Sequence, residues 1–363
     1  MRRLTLGFTI TTLLLTGHAL AEVPPETPPP PATVAETSPP TAIVAPPAPV
    51  ATPPSQPLGF AEAKTRAERN IPSQRFVLNS LTIFRWNPLG LEEQIRAGYQ
   101  LKLYKSYDAM FRDNFVHLGV YPRINPAFIK IGPSLEIQPL SIFNLRVAIE
   151  YMEFFSTFGF MQSWASPLSV ADGGGSDYSD TAFQDNRNQK RNYSTSGFHV
   201  MIEPLIQLQL GPVVIRNKFA AEYWNMRLNP GDTVWYDATL DTLVPKSGWV
   251  ITNDLDLMYS RNFSTKLGTG TLRVGARYSM VQPFYNKSDY KPGEAEKANN
   301  SHHRVGPILA YTFYDRGFTR FNKPTLLAIA NWYLRHQYRT GADSAVAIPY
   351  LVVGFAFQSD LMQ

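Results

Sequence analysis

Over the last three quarters of the chain, hydrophobic and polar positions alternate with a period of two. In the segment 94–103, Ile95 and Tyr99 fall on one face, while Arg96 and Lys102 fall on the other. The segments 249–259 and 271–280 follow the same rule. Successive side chains of a β-strand point to opposite sides of the sheet, so this pattern predicts strands with one apolar and one polar face.

The alternation predicts about twelve strands, within a range of 10 to 14. They are expected near 76–86, 93–105, 115–123, 127–139, 144–156, 197–210, 212–226, 248–260, 270–281, 303–314, 324–338 and 346–358. Most are longer than the ~5–6 residues usual in soluble sheets, and a tilted strand of ~9–11 residues crosses a bilayer. Beyond residue 21 there is no apolar run of 18 residues, so membrane-spanning helices are not expected.

The connections between these strands alternate in length. Short or moderate connections are expected at 140–143, 211–212, 260–270 and 315–323, and long polar ones at 157–196, 227–247 and 282–301. Outer-membrane barrels have short periplasmic turns and longer external loops. An even number of strands would place both ends of the barrel in the periplasm.

The N-terminal region has a different composition. Residues 1–21 combine Arg2 and Arg3, an apolar stretch and the ending Ala19-Leu20-Ala21, which is the layout of a cleavable signal peptide. Residues 22–57 contain 14 of the 30 prolines and no Lys or Arg, which predicts a disordered periplasmic tether. Residues 58–74 are expected to form a lead-in with a short helix near 60–70.

Aromatic residues lie on the predicted strands, many of them toward strand ends, where they suit a membrane–water boundary. They are Tyr104, Tyr151, Phe154, Phe155, Tyr223, Trp224, Trp249, Tyr259, Tyr311, Phe313, Trp332 and Tyr350. With the signal peptide, the alternating strands and the loop lengths, the chain over residues 75–363 resembles Gram-negative outer-membrane β-barrel proteins, a porin-like class without a more specific family. The resemblance implies an all-β, antiparallel, up-and-down transmembrane barrel in the outer membrane; the alternative is a secreted soluble all-β protein.

Composition adds three constraints. Only 17% of the residues are charged, against roughly 25% in average globular domains, which fits an outer face solvated by lipid. The chain has no cysteine, which excludes disulfides, thiol chemistry and a cysteine-linked lipid anchor. A formal net charge of +5 without a clustered basic stripe gives no reason to expect nucleic-acid binding.

If the apolar face meets lipid, the polar face lines the lumen. The predicted lumen residues are Arg96, Lys102, Lys130, Glu136, Arg146, Glu150, Glu203, Arg216, Lys218, Glu222, Asp254, Asp256, Arg273, Arg277, Arg304 and Arg335. Two interpretations remain open: cross-strand ion pairs that knit a closed interior, or opposed charged ladders along a narrow, anion-favouring water path.

No catalytic or metal motif stands out. No histidine precedes a serine in an H-x-S arrangement, and the adjacent pair His302-His303 is interpreted as solvent-exposed at a loop end. The Asp- and Gly-rich part of loop 157–196 lacks a calcium-binding repeat and is expected to be solvated. We therefore expect neither enzymatic activity nor a cofactor.

Three functions follow as hypotheses. The first is a narrow channel for small polar or anionic solutes. The alternative is a non-conducting structural barrel, an anchor subunit of an envelope-spanning assembly for secretion, polysaccharide export or motility. In it, residues 23–57 would contact a periplasmic or cell-wall partner. A third hypothesis, an adhesin or receptor, rests on the length of loop 157–196 alone.

Overall fold

The structure is a computed structural model that describes residues 72–106, 108–188, 191–340 and 345–362. The predicted signal peptide, the proline-rich segment 22–57 and the helix near 60–70 lie outside the described residues.

The described chain is built almost entirely of β-strands. The strands are β1 (Gln74–Trp86), β2 (Gly90–Leu101), β3 (Phe115–Val120), β4 (Arg123–Asn125), β5 (Phe128–Ile131), β6 (Pro133–Leu140), β7 (Phe143–Phe154), β8 (Ser163–Trp164), β9 (Thr195–Leu210), β10 (Val213–Met226), β11 (Val234–Asp237), β12 (Thr242–Pro245), β13 (Ser247–Thr265), β14 (Gly268–Pro283), β15 (His302–Thr312), β16 (Asn322–Arg335) and β17 (Tyr350–Asp360). One α-helix, α1 (Asp180–Asn188), and the 3₁₀ turns Thr157–Gly159 and Lys287–Asp289 complete the described elements.

All strands except β8, β11 and β12 form one antiparallel sheet that closes on itself as a twelve-stranded barrel. The third crossing consists of β3 followed by β4, and the fourth of β5 followed by β6. Closure is made by β1 and β17, which pair from Val77 opposite Asp360 to Trp86 opposite Leu351. Closing the sheet in this way removes both exposed sheet edges.

The two faces of the barrel wall have opposite chemistry. Along β13, Leu255, Leu257 and Tyr259 are exposed on the outside, whereas Asp256 and Met258 are buried inside. Exposed apolar residues continue around the barrel, including Tyr99, Leu118, Ile149, Phe198, Ile206, Val274, Trp332 and Val353. Because a soluble protein would not expose such a belt, this is the fold of an outer-membrane β-barrel. Among the described residues, no helix is long and apolar enough to cross a membrane.

The predicted strands correspond one for one to the twelve crossings, with shifts at their ends. The largest correction concerns the connection expected at 260–270. There β13 continues to Thr265 and β14 begins at Gly268, so only a two-residue turn remains. The strands are longer because two polar residues, the exposed Asn262 and the half-buried Thr271, still pair across the ladder.

The barrel has two different ends. At the short-turn end lie the start of β1, the end of β17 and the tight turns before β7, β10 and β14. At the long-loop end lie the connections 155–194, 227–246, 284–301 and 336–349, together with a small sheet of β8, β11 and β12. Loop 155–194 was expected to be solvated, but Trp164, Tyr178 and Phe183 are buried in a cluster with the small sheet.

Candidate functional site

The segment 227–246, called the plug below, folds into the long-loop end of the barrel. Its strands β11 and β12 are buried at every residue, and Val234, Trp235 and Tyr236 have no exposed surface. The ring of Trp235 packs 5.4 Å, centroid to centroid, from that of Trp224 on the barrel wall and equally far from that of Phe154. Trp224 and Phe154 thus face inward against the plug, not toward the membrane boundary where the sequence placed them.

Asp241 fastens the tip of the plug. Its carboxylate accepts hydrogen bonds of 2.8 Å from the hydroxyls of Tyr236 and Tyr333. Arg339, from loop 336–349, donates through Nη2 at 3.2 Å and through Nε at 3.3 Å. The backbone of Asp241 has φ of 52°, a left-handed conformation that Asp tolerates better than most residues. One side chain therefore ties the plug to strand β16 and to a second loop.

The ionisation of Asp241 follows from this setting. Burial by itself would raise the pKa of the carboxyl group. The charge of Arg339, together with His336, instead holds the pKa of Asp241 well below its usual range. The same ion pair raises the pKa of Arg339. Both groups therefore remain charged throughout the neutral and mildly acidic range.

Further contacts fix the plug to other parts of the wall. Arg85 on β1 donates to the carbonyl oxygens of Ala238 and Thr239, both at 3.2 Å. His302, the first residue of β15, lies 2.7 Å through Nε2 from the carbonyl oxygen of Leu240. His302 has no exposed surface, so its interpretation as an exposed loop-end histidine is wrong. The rings of His336 and Tyr333, at 5.1 and 5.9 Å between centroids, and the plug carbonyl enclose its imidazole instead of solvent.

Lys130 adds a buried ion pair on the opposite side. Its ammonium lies 3.8 Å from the carboxylate of Asp237 in the plug. It also sits 4.4 Å from the ring centroid of Trp224 and 5.0 Å from that of Phe128. The aromatic ring faces and the carboxylate together stabilise the enclosed ammonium group. Lys130 therefore holds the plug on the side of the barrel opposite His302.

Beyond the plug, toward the short-turn end, charges form a continuous network across neighbouring strands. Glu203 pairs with Arg146 and lies 3.8 Å from Lys218, which in turn lies 3.8 Å from Asp254. Arg277 bridges Asp254 and Asp256, the latter through bonds of 2.6 and 2.8 Å. Arg216 reaches Asp256 at 3.3 Å, and Arg96 pairs with Glu136. The Arg96–Glu136 pair spans β3, and the other links join adjacent strands, so the charges brace the wall.

A second network lies between this layer and the plug. His199 has no exposed surface and contacts Glu150 at 2.6 Å and Glu222 at 2.8 Å, one through each ring nitrogen. Arg123 pairs with Glu150, and the ring of Trp224 lies 4.0 Å from that of His199. Carboxylates and histidine can serve general acid–base catalysis. Here no surface of the imidazole is open to a substrate, so the cluster is a buried ion-pair network.

Two adjacent cavities occupy the rest of the lumen. The larger, of about 470 Å³, reaches the short-turn rim at Lys323 and Gln358. The smaller, of about 290 Å³, lies deeper and is bounded by Thr239 and Leu240 of the plug. Charged residues lining one or both are Arg85, Glu92, Arg96, Arg123, Glu136, Arg146, Glu203, Arg216, Lys218, Glu222, Asp254, Arg277, Arg304 and Lys323. Because the cavities share Glu203 and Lys218 among other lining residues, they adjoin each other, and the two together are called the vestibule below.

The sequence-derived lumen residues occupy three environments. Lining the vestibule are Arg96, Glu136, Arg146, Glu203, Arg216, Lys218, Glu222, Asp254, Arg277 and Arg304. Buried in the inner networks are Lys130, Glu150 and Asp256. Outside both are Lys102, which follows the last residue of β2, Arg273, which is half-buried on β14, and Arg335, which is exposed at the end of β16.

Several inward-facing charged residues were not anticipated. Arg85, Glu92 and Arg123 lie in strands whose alternation could have placed them, since Arg85 is two residues from Ile83 on the inner face. Asp237 ends β11, a strand that shows no alternation, and Asp241 and Arg339 lie in loops, so no periodic pattern exists to orient these three. Among the described residues, no group of three potential ligands could hold a metal ion.

Solved structures of bacterial proteins align with most of this chain at low sequence identity and low TM-score. No family model matches the sequence, and no curated protein matches it. The β domain of the Bordetella autotransporter BrkA aligns with 79% of this chain and 99% of its own, at 9% identity and a TM-score of 0.40. LpxR from Salmonella typhimurium aligns with 78% of this chain and 99% of its own, at 9% identity and a TM-score of 0.35. The translocator domain of NalP from Neisseria meningitidis aligns with 82% of this chain and 94% of its own, at 9% identity and a TM-score of 0.32.

Proposed function

We propose that this protein is a closed outer-membrane barrel that acts as a membrane anchor and does not conduct solutes in its resting state. The observation that carries the proposal is the plug. At the long-loop end, its residues 234–245 are buried except for the half-buried Thr239, and they are bonded to the wall through Arg85, Lys130 and His302.

The charge networks support the same conclusion. A conducting lumen needs charged groups that are hydrated and free to meet a passing solute. Most carboxylates of this lumen are committed instead to Arg, Lys or His partners on neighbouring strands. Removing one partner of such a buried pair is costly, by about 3–5 kcal/mol, so the pairs resist rearrangement.

The anchored element would be the proline-rich segment 22–57. It precedes β1, which begins at the short-turn end, and short turns face the periplasm in outer-membrane barrels. The segment would extend into the periplasm and reach a partner or the cell wall there. The role would be mechanical attachment within an envelope-spanning assembly.

A second candidate is a gated channel, favoured by the vestibule and its excess of basic residues. In that case the plug would have to leave the long-loop end before solutes could pass. The contacts of Asp241 with Tyr333 and Arg339 would then form the gate.

Planar-bilayer recording tests the closed state. The purified full chain should give no single-channel steps, whereas a variant with residues 228–245 replaced by a short Gly-Ser linker should conduct. A matched control shortens the connection between β2 and β3 at the short-turn end of the barrel, away from the plug; it should remain silent. Regular conductance steps from the folded wild-type protein would overturn the proposal.

Deletion of residues 23–57 tests the anchor role separately. The barrel should still fold and insert, and co-purification with periplasmic or cell-wall components should be lost. If the deletion variant retains the same co-purifying components as wild type, the anchor role is wrong even though the closed barrel stands.

A further inference from the structure

We propose that the deeper cavity of the vestibule binds a small oxyanion, with the guanidinium of Arg304 as its main donor. This site does not depend on whether the barrel serves as an anchor or as a gated channel, because Arg304 belongs to strand β15 of the barrel wall and not to the plug.

Arg304 has two buried donor atoms that are not used. The side chain is only 8% exposed and lines the deeper cavity, yet its Nε and Nη1 atoms have no hydrogen-bond partner. None of the described carboxylates lies within ion-pair distance of its guanidinium. A buried guanidinium with unused N–H groups carries a large desolvation cost, which a bound anion would offset.

The surroundings of Arg304 hold its guanidinium in place. The guanidinium carbon lies 4.0 Å from the ring centroid of Tyr350 on β17 and 5.7 Å from that of Tyr333 on β16. Stacking of this kind restrains the plane of the group but uses none of its N–H donors. The N–H groups at the edge of the Arg304 guanidinium therefore keep a fixed orientation and remain available to a ligand.

A second unsatisfied group lies on the neighbouring strands. Asn331 on β16 is opposite Tyr350 in the sheet register and lines the same cavity. It is 1% exposed, and its side-chain oxygen has no hydrogen-bond partner. A ligand that accepts bonds from Arg304 and donates one to Asn331 would satisfy both groups.

The charge of the vestibule fits an anion. Its walls carry four more Lys and Arg side chains than Asp and Glu side chains. Hydrogen phosphate, a singly protonated phosphate monoester and a hydroxycarboxylate share the required chemistry, which is oxyanion acceptors beside one O–H donor. The cavity of about 290 Å³ is at the small end of ligand sites, which run from about 300 to 1,000 Å³, so the ligand would be a small molecule and not a polymer.

Isothermal titration calorimetry on the folded full chain in detergent micelles tests the site. Inorganic phosphate and glycolate are the two probes, one for each source of the oxyanion, and glycerol is the neutral control. At least one of the anions should bind saturably and glycerol should not. In Arg304→Gln the affinity for that anion should fall by about tenfold or more, because charge-assisted hydrogen bonds are lost. Arg261→Gln, which removes an exposed arginine from the outer face of β13, should leave it unchanged.

Two further variants keep the test decisive if Arg304→Gln fails to fold. Arg304→Lys retains the charge without the planar fork and should bind more weakly than wild type. Asp254→Asn removes the carboxylate that lies across Ser279 from Arg304 in the sheet register, and it should raise the affinity by about threefold or more. The absence of saturable binding of either anion to wild type, or an affinity that none of the Arg304 and Asp254 variants alters, would overturn the proposal.

Discussion

Replacing Asp241 with Asn should loosen the plug without unfolding the barrel. Asparagine keeps the size of the side chain and tolerates the left-handed backbone at this position, so the change removes charge and one acceptor oxygen. Whichever way the amide turns, its NH₂ group faces an N–H of Arg339 and the hydroxyl of Tyr236 or Tyr333.

The magnitude follows from these contacts. Removing one member of a buried ion pair costs about 3–5 kcal/mol. Arg339 keeps a second partner in Asp180, at 2.5 Å from Nη1, so the lower bound of about 3 kcal/mol applies. Each 1.4 kcal/mol is tenfold in an equilibrium constant, so the open state of the plug should become about 100-fold more populated.

Hydrogen–deuterium exchange measured by mass spectrometry on protein in lipid nanodiscs is the appropriate assay. Peptides covering residues 234–245 should lose about two orders of magnitude of protection. Peptides from β13, which belong to the barrel wall, should be unaffected. The control is Asp185→Asn, which neutralises an exposed carboxylate on α1. If the plug peptides of Asp241→Asn keep wild-type protection, the argument that Asp241 holds the plug is refuted.

Three other predictions concern pH, the lipid face and strand packing. Because the pKa of Asp241 is depressed below its ordinary value of 3.8, its contribution to plug closure is present above that pH and lost below it. Exchange protection of residues 234–245, corrected for intrinsic rates, should therefore be constant from pH 8 to pH 5 and fall only below about pH 4. Leu257 is 56% exposed near the middle of β13, and Leu257→Arg should lower the free energy of unfolding by about 2–4 kcal/mol in urea titrations in lipid. Leu267→Arg, in the short turn, should lower it by about 1 kcal/mol or less. Equal effects of the two variants would contradict a lipid-facing belt. Gly98→Ala should lower the free energy of unfolding by about 1–3 kcal/mol in the same titration, because a Cβ there would overlap the carbonyl oxygen of Leu118. An unchanged urea midpoint of unfolding would contradict this close approach.

The barrel wall was predictable from sequence because apolar and polar side chains alternate regularly along its strands. A strand between lipid and a polar lumen must alternate apolar and polar side chains, so β13 and β14 could be recognised from residue type alone. Their ends were less predictable, since polar pairs such as Asn262 and Thr271 extend the ladder where neither face meets lipid. The same alternation predicted on which face of the strand most of the charged lumen residues lie.

The plug could not be predicted in this way. Strands β11 and β12 are enclosed on every side, so they show no alternation and looked like part of a long loop. The run Val234-Trp235-Tyr236 was the available signal, because three consecutive large apolar residues are unfavourable in a solvated loop. The partners of Asp241 come from β11, β16 and loop 336–349, and only the closed tertiary structure brings them together.

The ion pairs of the lumen also constrain how the protein can enter a membrane. Arg216 and Lys218 on β10 are compensated by Asp254 and Asp256 on β13, and these in turn by Arg277 on β14. A single strand or hairpin in hydrocarbon would carry these charges without their partners, at a cost of several kcal/mol each. Insertion must therefore be a collective event in which neighbouring strands arrive already paired. The ion pair between Arg75 and Asp360, at 3.8 Å across the meeting of β1 and β17, can form only when that event is complete.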